Sequence, residues 1–194
     1  MVVTPSADYL PVKNVVYKGP LLEVHQWQQP LPNGSSIPFE RCIRPDTIAV
    51  IAFLDHETIL LNEELPIDQT HSFFDVPGGR VDPGETAEHA AARELREETG
   101  YNANRLLEWH VAEYKGLIHF RHIIFVAKDL QLADLATQTS HDPTERITTH
   151  KISFEEAYQR SLHGELRRSE VMLAIIRMKH EDASKQRLAS FLVS

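Results

Sequence analysis

A chain of 194 residues, 42% of them hydrophobic, can bury one sizeable core with room for an appendage. Its formal net charge of -8 argues against duplex nucleic acid or an anionic membrane as the main partner, and its single cysteine, Cys42, excludes an intramolecular disulfide and fits a reducing compartment. Nothing at the N-terminus resembles a signal peptide and no apolar run approaches ~18 residues, so a soluble, cytoplasmic protein is expected.

In chain order, Val15 to Tyr17 and Leu21 to Gln28 predict strands. Pro30 to Gly34 predicts a reversal and Ile37 to Ile43 the return strand. Residues 1–45 therefore form an N-terminal β-hairpin segment, ahead of a main domain over 46–194. A two-stranded unit is marginal alone, so the segment is expected to pack on a second subunit of a homodimer. Thr47 to Leu54 and Thr58 to Leu61 are apolar β-type runs that predict a second hairpin, and Phe73 to Val76 predicts a short strand. Ala87 to Thr99 lacks Gly and Pro and predicts a helix, with Thr86 as N-cap and Gly100 at the left-handed C-terminal position. Leu106 to Tyr114 and Ile118 to Ala127 predict strands joined near Lys115-Gly116, and Thr137 to Glu145 a loop. Ile147 to Ser153 predicts a last strand. Phe154 to Leu162 and Ser169 to Lys179 carry helical spacing. Strands on both sides of a central helix, with a terminal helix, fit an α/β sandwich.

The chemistry concentrates between Gly79 and Gly100. On a helix Glu94, Glu97 and Glu98 fall at i, i+3 and i+4, so three carboxylates project from one face. A neighbouring stripe of Ala91, Ala92, Leu95 and Thr99 can dock on a sheet. Adjacent carboxylates repel one another unless a cation joins them, and hard oxygen donors suit Mg²⁺, with Mn²⁺ as a substitute. Arg93 precedes Glu97 by four residues and can hold it in place. Pro77-Gly78-Gly79 leaves the backbone free to approach a metal through the Gly79 carbonyl. Glutamates at this spacing by themselves usually make only a solvated helix face. Gly79, Glu85, Arg93 and Gly100 stand in fixed register with them.

Written out, Gly79 to Tyr101 follows G-x5-E-x7-R-E-U-x-E-E-x-G-U, with Leu95 as the inner apolar residue and Tyr101 in place of the usual final aliphatic. This resembles the Nudix box, the signature of the Nudix hydrolases. The resemblance implies an α/β/α sandwich with a mixed sheet and, here, an N-terminal β-hairpin appendage. It also implies a pyrophosphatase whose metal is held by Glu94, Glu97, Glu98 and Gly79, with Glu85, Arg93 and Gly100 structural. The flanks resemble the ADP-ribose and nucleoside-diphosphate-sugar pyrophosphatase branch through the N-terminal Leu-Pro-Asn-Gly turn, Phe125 to Leu130, and the tail from Glu145 through Ser153-Phe154-Glu155-Glu156-Ala157 to Gly164-Glu165-Leu166. In that branch a loop glutamate matching Glu145 is the general base, while in other members box residues such as Glu97 or Glu98 serve; Asp142 is the alternative in the same loop. Trp27, Arg41, Arg44 and Arg80 are the candidate contacts for a small nucleotide substrate. The chain departs from the branch at Asn62 to Pro66, where an arginine is usual, and lacks the usual proline near Gly116-Leu117-Ile118. A triphosphate or dinucleoside polyphosphate hydrolase, and a nucleotide-sensing regulator without activity, are the rival readings.

Overall fold

Alternation of side chains along two strands sets how this chain folds. The structure is a computed structural model that describes residues 14–133 and 145–194. It divides into two units: the chain up to Pro45 together with Glu113–Arg121, and Asp46–Ala112 together with His122–Ser194.

In the first unit, β1 (Asn14–Lys18) pairs antiparallel with β2 (Glu23–Pro30), with a register shift between Val15 and Tyr17. Strand β2 pairs antiparallel with β3 (Ser36–Ile43) in unbroken register from Glu23↔Ile43 to Pro30↔Ser36. The turn is closed by Asn33, whose Oδ1 accepts the Ser35 N–H at 3.0 Å, and by Gly34 at φ 83°. Cys42 and Ile43 then pair in parallel with Ile118 and His119. The unit is thus a three-stranded sheet extended by a further segment, larger than the expected hairpin. Val15, Val16, Tyr17, Ile37 and Phe39 remain exposed, so it buries little of its own apolar surface.

The second unit is built on β4 (Thr47–Ala52), β5 (Thr58–Pro66), β6 (Phe73–Asp75), α1 (Ala87–Thr99), β7 (Tyr101–Lys115), β8 (Ile118–Leu132), β9 (Glu145–Ser153), α2 (Phe154–Leu162), α3 (Ser169–His180) and α4 (Asp182–Val193); its share of β7 ends at Ala112 and its share of β8 begins at His122. Strand β4 runs parallel to β8 from Thr47↔His122 to Ala52↔Ala127, and β7 pairs with β8. Strands β6, β5 and β9 form a separate antiparallel sheet. Ile48, Val50 and Ala52 join Ile123, Phe125 and Ala127 in a core under Ala90, Ala91 and Leu95 of α1. Ala49, Ile51 and Phe53 join Ile124 and Val126 in a second core under Ala157, Val171, Ile175, Met178, Leu188 and Phe191 of the three later helices. Burial on both faces explains why β4 reads as a continuous apolar run. The result is a mixed α/β architecture with helices over both faces of the β4–β8 pair.

Several expectations change. Strands β4 and β5 belong to different sheets, linked at their turn by the bridge Phe53↔Ile59, so they do not pair along their length as a hairpin. Asp55 Oδ1 accepts the N–H groups of Glu57 and Thr58, both at 2.8 Å, and turns the chain from one sheet into the other. Strand β5 runs to Pro66, β7 begins at Tyr101 directly after α1, and α4 is an additional helix. The buried stripe of α1 passes through Ala90 rather than Ala92. Of the loop expected over Thr137 to Glu145, residues 137–144 lie outside the described residues, while Glu145 opens β9 opposite Pro66.

Candidate active site

The second unit gathers its acidic residues around α1. Thr86 caps the helix by accepting the His89 N–H at 3.2 Å. Gly100, at φ 74°, ends it with its N–H on the Arg96 carbonyl. With Ala90, Ala91 and Leu95 committed to the core, the adjoining face presents Arg93, Glu94 and Glu97, with Glu98 at the edge of the buried stripe.

Arg93 is the hub of this face. Its Nε and Nη2 grip the two oxygens of Glu85 at 3.0 and 2.9 Å. Its Nη1 reaches Glu94 at 2.9 Å and Glu97 at 3.3 Å, and Nη2 also donates to the Arg80 carbonyl at 3.0 Å. The guanidinium beside Glu85 holds that carboxyl below the usual range, helped by the Asp82 N–H. Glu85, Glu94 and Glu98 in turn surround a loop with no spare room. A Cβ on Gly79 would collide with the carboxyl of Glu94, and one on Gly78 with the Ile48 carbonyl and the Ala49 backbone. The Gly79 carbonyl accepts the Ile48 N–H at 2.9 Å.

Glu98 is held differently. Asn62 Nδ2 at 2.7 Å and the Gly78 N–H at 3.0 Å both donate to its Oε2. Burial pushes its carboxyl well above the usual range, and the charges of Glu64 and Glu94 push the same way; the Gly78 N–H and Arg168 oppose them. Arg168, at the N-terminus of α3, sets its Nε 3.4 Å from the fully buried Asp75 and donates to the Val76 and Gly78 carbonyls at 3.3 and 3.4 Å. Burial likewise raises the Asp75 carboxyl, against the pull of Arg168.

Glu64, Glu94, Glu97 and Glu98 supply only carboxylate oxygen, and Glu98 feels the negative charge of two neighbours. That chemistry fits a hard divalent cation, which would relieve the repulsion. Among the described residues no three His, Cys, Asp or Glu side chains already close into a ligand shell. Arg93 Nη1 engages both Glu94 and Glu97.

Of the remaining sequence candidates, Trp27, Arg41 and Arg44 belong to the first unit and Arg80 to the second. Arg80 has an exposed side chain and lends its carbonyl to Arg93. Trp27 is buried in the first unit, 5.0 Å from the Phe39 ring, with Arg41 over it at 5.6 Å. Arg44 lies over Phe120 at 4.5 Å, and Phe120 stacks on Tyr114 at 4.6 Å. Asp142 lies outside the described residues. Asn62, Glu64, Asp75, Thr149 and Arg168 are the site's neighbours that sequence reasoning missed. Asn62 and Glu64 do carry a signal: they lie two apart in β5, directly after the apolar run Ile59 to Leu61, and so share one face of the strand while Glu63 takes the other.

Against known proteins, the model of the NUDIX domain matches residues 43–174. ADP-ribose pyrophosphatase of Bacillus subtilis (strain 168) is 27% identical over 145 residues, covering 75% of this chain and 78% of that protein. Methanol dehydrogenase activator of Bacillus methanolicus is 26% identical over 174 residues, covering 89% and 92%. A putative 8-oxo-dGTP diphosphatase of Bacillus subtilis (strain 168) is 52% identical over 56 residues, only 28% of this chain and 34% of that protein. Among solved structures, an ADP compounds hydrolase superposes with a TM-score of 0.70 at 22% identity, covering 89% of this chain and 96% of that one. This last likeness is one of fold.

Proposed function

The chain belongs to the NUDIX family and is a Nudix hydrolase, and from that premise we propose that it cleaves the diphosphate linkage of a nucleoside diphosphate derivative, ADP-ribose or a nucleotide sugar. The products are a nucleoside monophosphate and a sugar phosphate. The observation that carries this reading is the single helix face bearing Glu94, Glu97 and Glu98, organised by Arg93 and Glu85. The 27% identity to an ADP-ribose pyrophosphatase across three quarters of the chain supports the substrate class.

Glu94, Glu97 and Glu98, with the Gly79 carbonyl, are the residues to hold Mg²⁺, or Mn²⁺ in its place. Such an ion, when bound, neutralises phosphate oxygens and lowers the pKa of the attacking water. Arg93 keeps Glu94 and Glu97 on the reacting side of α1, and its two bonds to Glu85 fix its own fork. A carboxylate, Glu97, Glu98 or Glu145, takes the proton from water as its oxygen bonds to phosphorus. The bond from that phosphorus to the bridging oxygen breaks, and the second phosphate leaves with the bridging oxygen. Trp27, Arg41, Arg44 and Arg80 are the proposed nucleotide contacts in a cytoplasmic homodimer.

A panel with Mg²⁺, assayed for monophosphate release, tests this. ADP-ribose or a nucleotide sugar should give a higher kcat/KM than any nucleoside triphosphate or dinucleoside polyphosphate. A second reading, triphosphate hydrolysis, draws on the 52% match to the putative 8-oxo-dGTP diphosphatase, but that match spans only 56 residues. Triphosphates as the best substrates would favour it.

A further inference from the structure

We infer that Asn62 and Thr149 are positioning residues for Glu98: Thr149 orients the Asn62 amide, which together with the Gly78 N–H engages one oxygen of that carboxylate through neutral donors and leaves the other to the cation. The inference rests on the metal-holding role proposed for Glu98. Asn62 has no exposed surface, and its Nδ2 meets Glu98 Oε2 at 2.7 Å. The Gly78 N–H converges on the same oxygen at 3.0 Å, so neither donor engages Oε1.

An ionised carboxylate only accepts, so Asn62 must turn its NH₂ toward Glu98. Its carbonyl then points back into buried surroundings and needs a donor. Thr149 supplies one, with Oγ1 2.9 Å from Asn62 Oδ1. The register explains how it gets there, because Thr149 is the direct cross-strand partner of Asn62 in the β5–β9 pairing. Thr149 Oγ1 also lies 3.1 Å from the Glu98 carbonyl, so its one hydrogen is shared between two acceptors, the shorter contact being to Asn62.

The contrast with Arg93 shows what an amide does here. Arg93 orients Glu94 and Glu97 with a positive charge, which competes with any cation for the same oxygens. Asn62 orients Glu98 without neutralising it. The amide thus fixes the carboxylate in direction without placing a competing positive charge on it.

The test uses the full chain and three readouts: Mn²⁺ affinity by spin-resonance titration without nucleotide, kcat and KM on the best substrate of the panel, and the thermal midpoint in EDTA. Thr149→Val should weaken Mn²⁺ binding and lower kcat by roughly tenfold each, the scale for lost supports of metal-ligand residues. KM should stay within about twofold and the EDTA midpoint near that of the parent. Thr149→Ser, which keeps the hydroxyl, should restore both losses. Asn62→Asp replaces the donor by an acceptor facing Glu98 and should cost roughly 100-fold in kcat. Parent-like Mn²⁺ affinity and kcat in Thr149→Val would overturn the inference. So would losses that Thr149→Ser fails to restore and that track a falling midpoint in EDTA. If Asn62→Asp does not fold, the Val and Ser pair decides alone. Glu98→Gln separates the two levels: parent-like Mn²⁺ affinity there removes the premise, whereas a strong loss beside a silent Thr149→Val removes the positioning role only.

Discussion

Gly78 and Gly79 are neighbours with different reasons to be glycine. A methyl group at Gly79 meets the end of a flexible glutamate, whereas one at Gly78 meets the backbone of β4. Gly79→Ala should therefore fold with little loss but displace Glu94 and lower kcat, by about tenfold or more if Glu94 holds metal. Gly78→Ala should lose about 1–3 kcal/mol of stability, the usual cost of overpacking a rigid site. Urea unfolding and initial rates on both variants check this; equal stability losses would contradict it. Glu85 carries a pH signature. Its carboxyl is held low by Arg93, so its contribution is fully present above its ordinary value of about 4.3 and is lost as pH falls through the lower folded value. In EDTA, Glu85→Gln should cost about 1–3 kcal/mol at pH 7, with the gap from the parent closing in acid. Parallel stability curves down to the acid limit would refute it. The polar positions of the box were legible because α1 has one periodicity that sorts acid from core. Asn62 and Thr149 were not: their partnership depends on a β5–β9 register joining residues 87 apart in sequence, which no local pattern encodes.

At the level of elements, the helix caps, the apolar strands and the reversals at Pro30 to Gly34 and Lys115-Gly116 were readable, and the partners of β4 and β5 were not. Thr47 to Leu61 looks like a hairpin because two apolar runs flank a turn, yet β4 finds its partner in β8 and β5 in β9. Tertiary pairing overrode the local signal. Strand β7 starts among Tyr101, Asn102, Ala103 and Asn104, whose composition suggests a turn. Helix α4 escaped notice because no Gly or Pro separates it from α3; the break is a single extended residue, Glu181, at ψ 120°. That helix nevertheless closes the larger core through Leu188 and Phe191, and Arg187 donates to the Trp109 and Glu108 carbonyls. Phe191→Ala should cost about 3 kcal/mol or more in urea unfolding and leave kcat per folded molecule unchanged. A loss under about 1 kcal/mol would mean α4 contributes little to that core.

On the scale of the molecule, the two units differ in how much they bury. The second holds both hydrophobic clusters, while the first exposes Val15, Val16, Tyr17, Ile37 and Phe39 on a thin sheet. Such a sheet favours association, and a homodimer is expected. Sedimentation at micromolar concentration should give roughly twice the 22.1 kDa chain mass, and a monomer at that concentration would contradict it. Among the described residues no helix is long and apolar enough to cross a membrane. On the proposed reading, the acidic face of α1 needs a cation to bring an anionic nucleotide close. The most direct test is ADP-ribose turnover, followed as AMP release, in metal-stripped protein before and after Mg²⁺ is restored, with Glu98→Gln alongside. The account predicts no release in chelator, full recovery with Mg²⁺, and a loss of about 10²-fold or more in kcat for Glu98→Gln. AMP release that continues in excess EDTA, or a Glu98→Gln variant within about twofold of the parent, would contradict it.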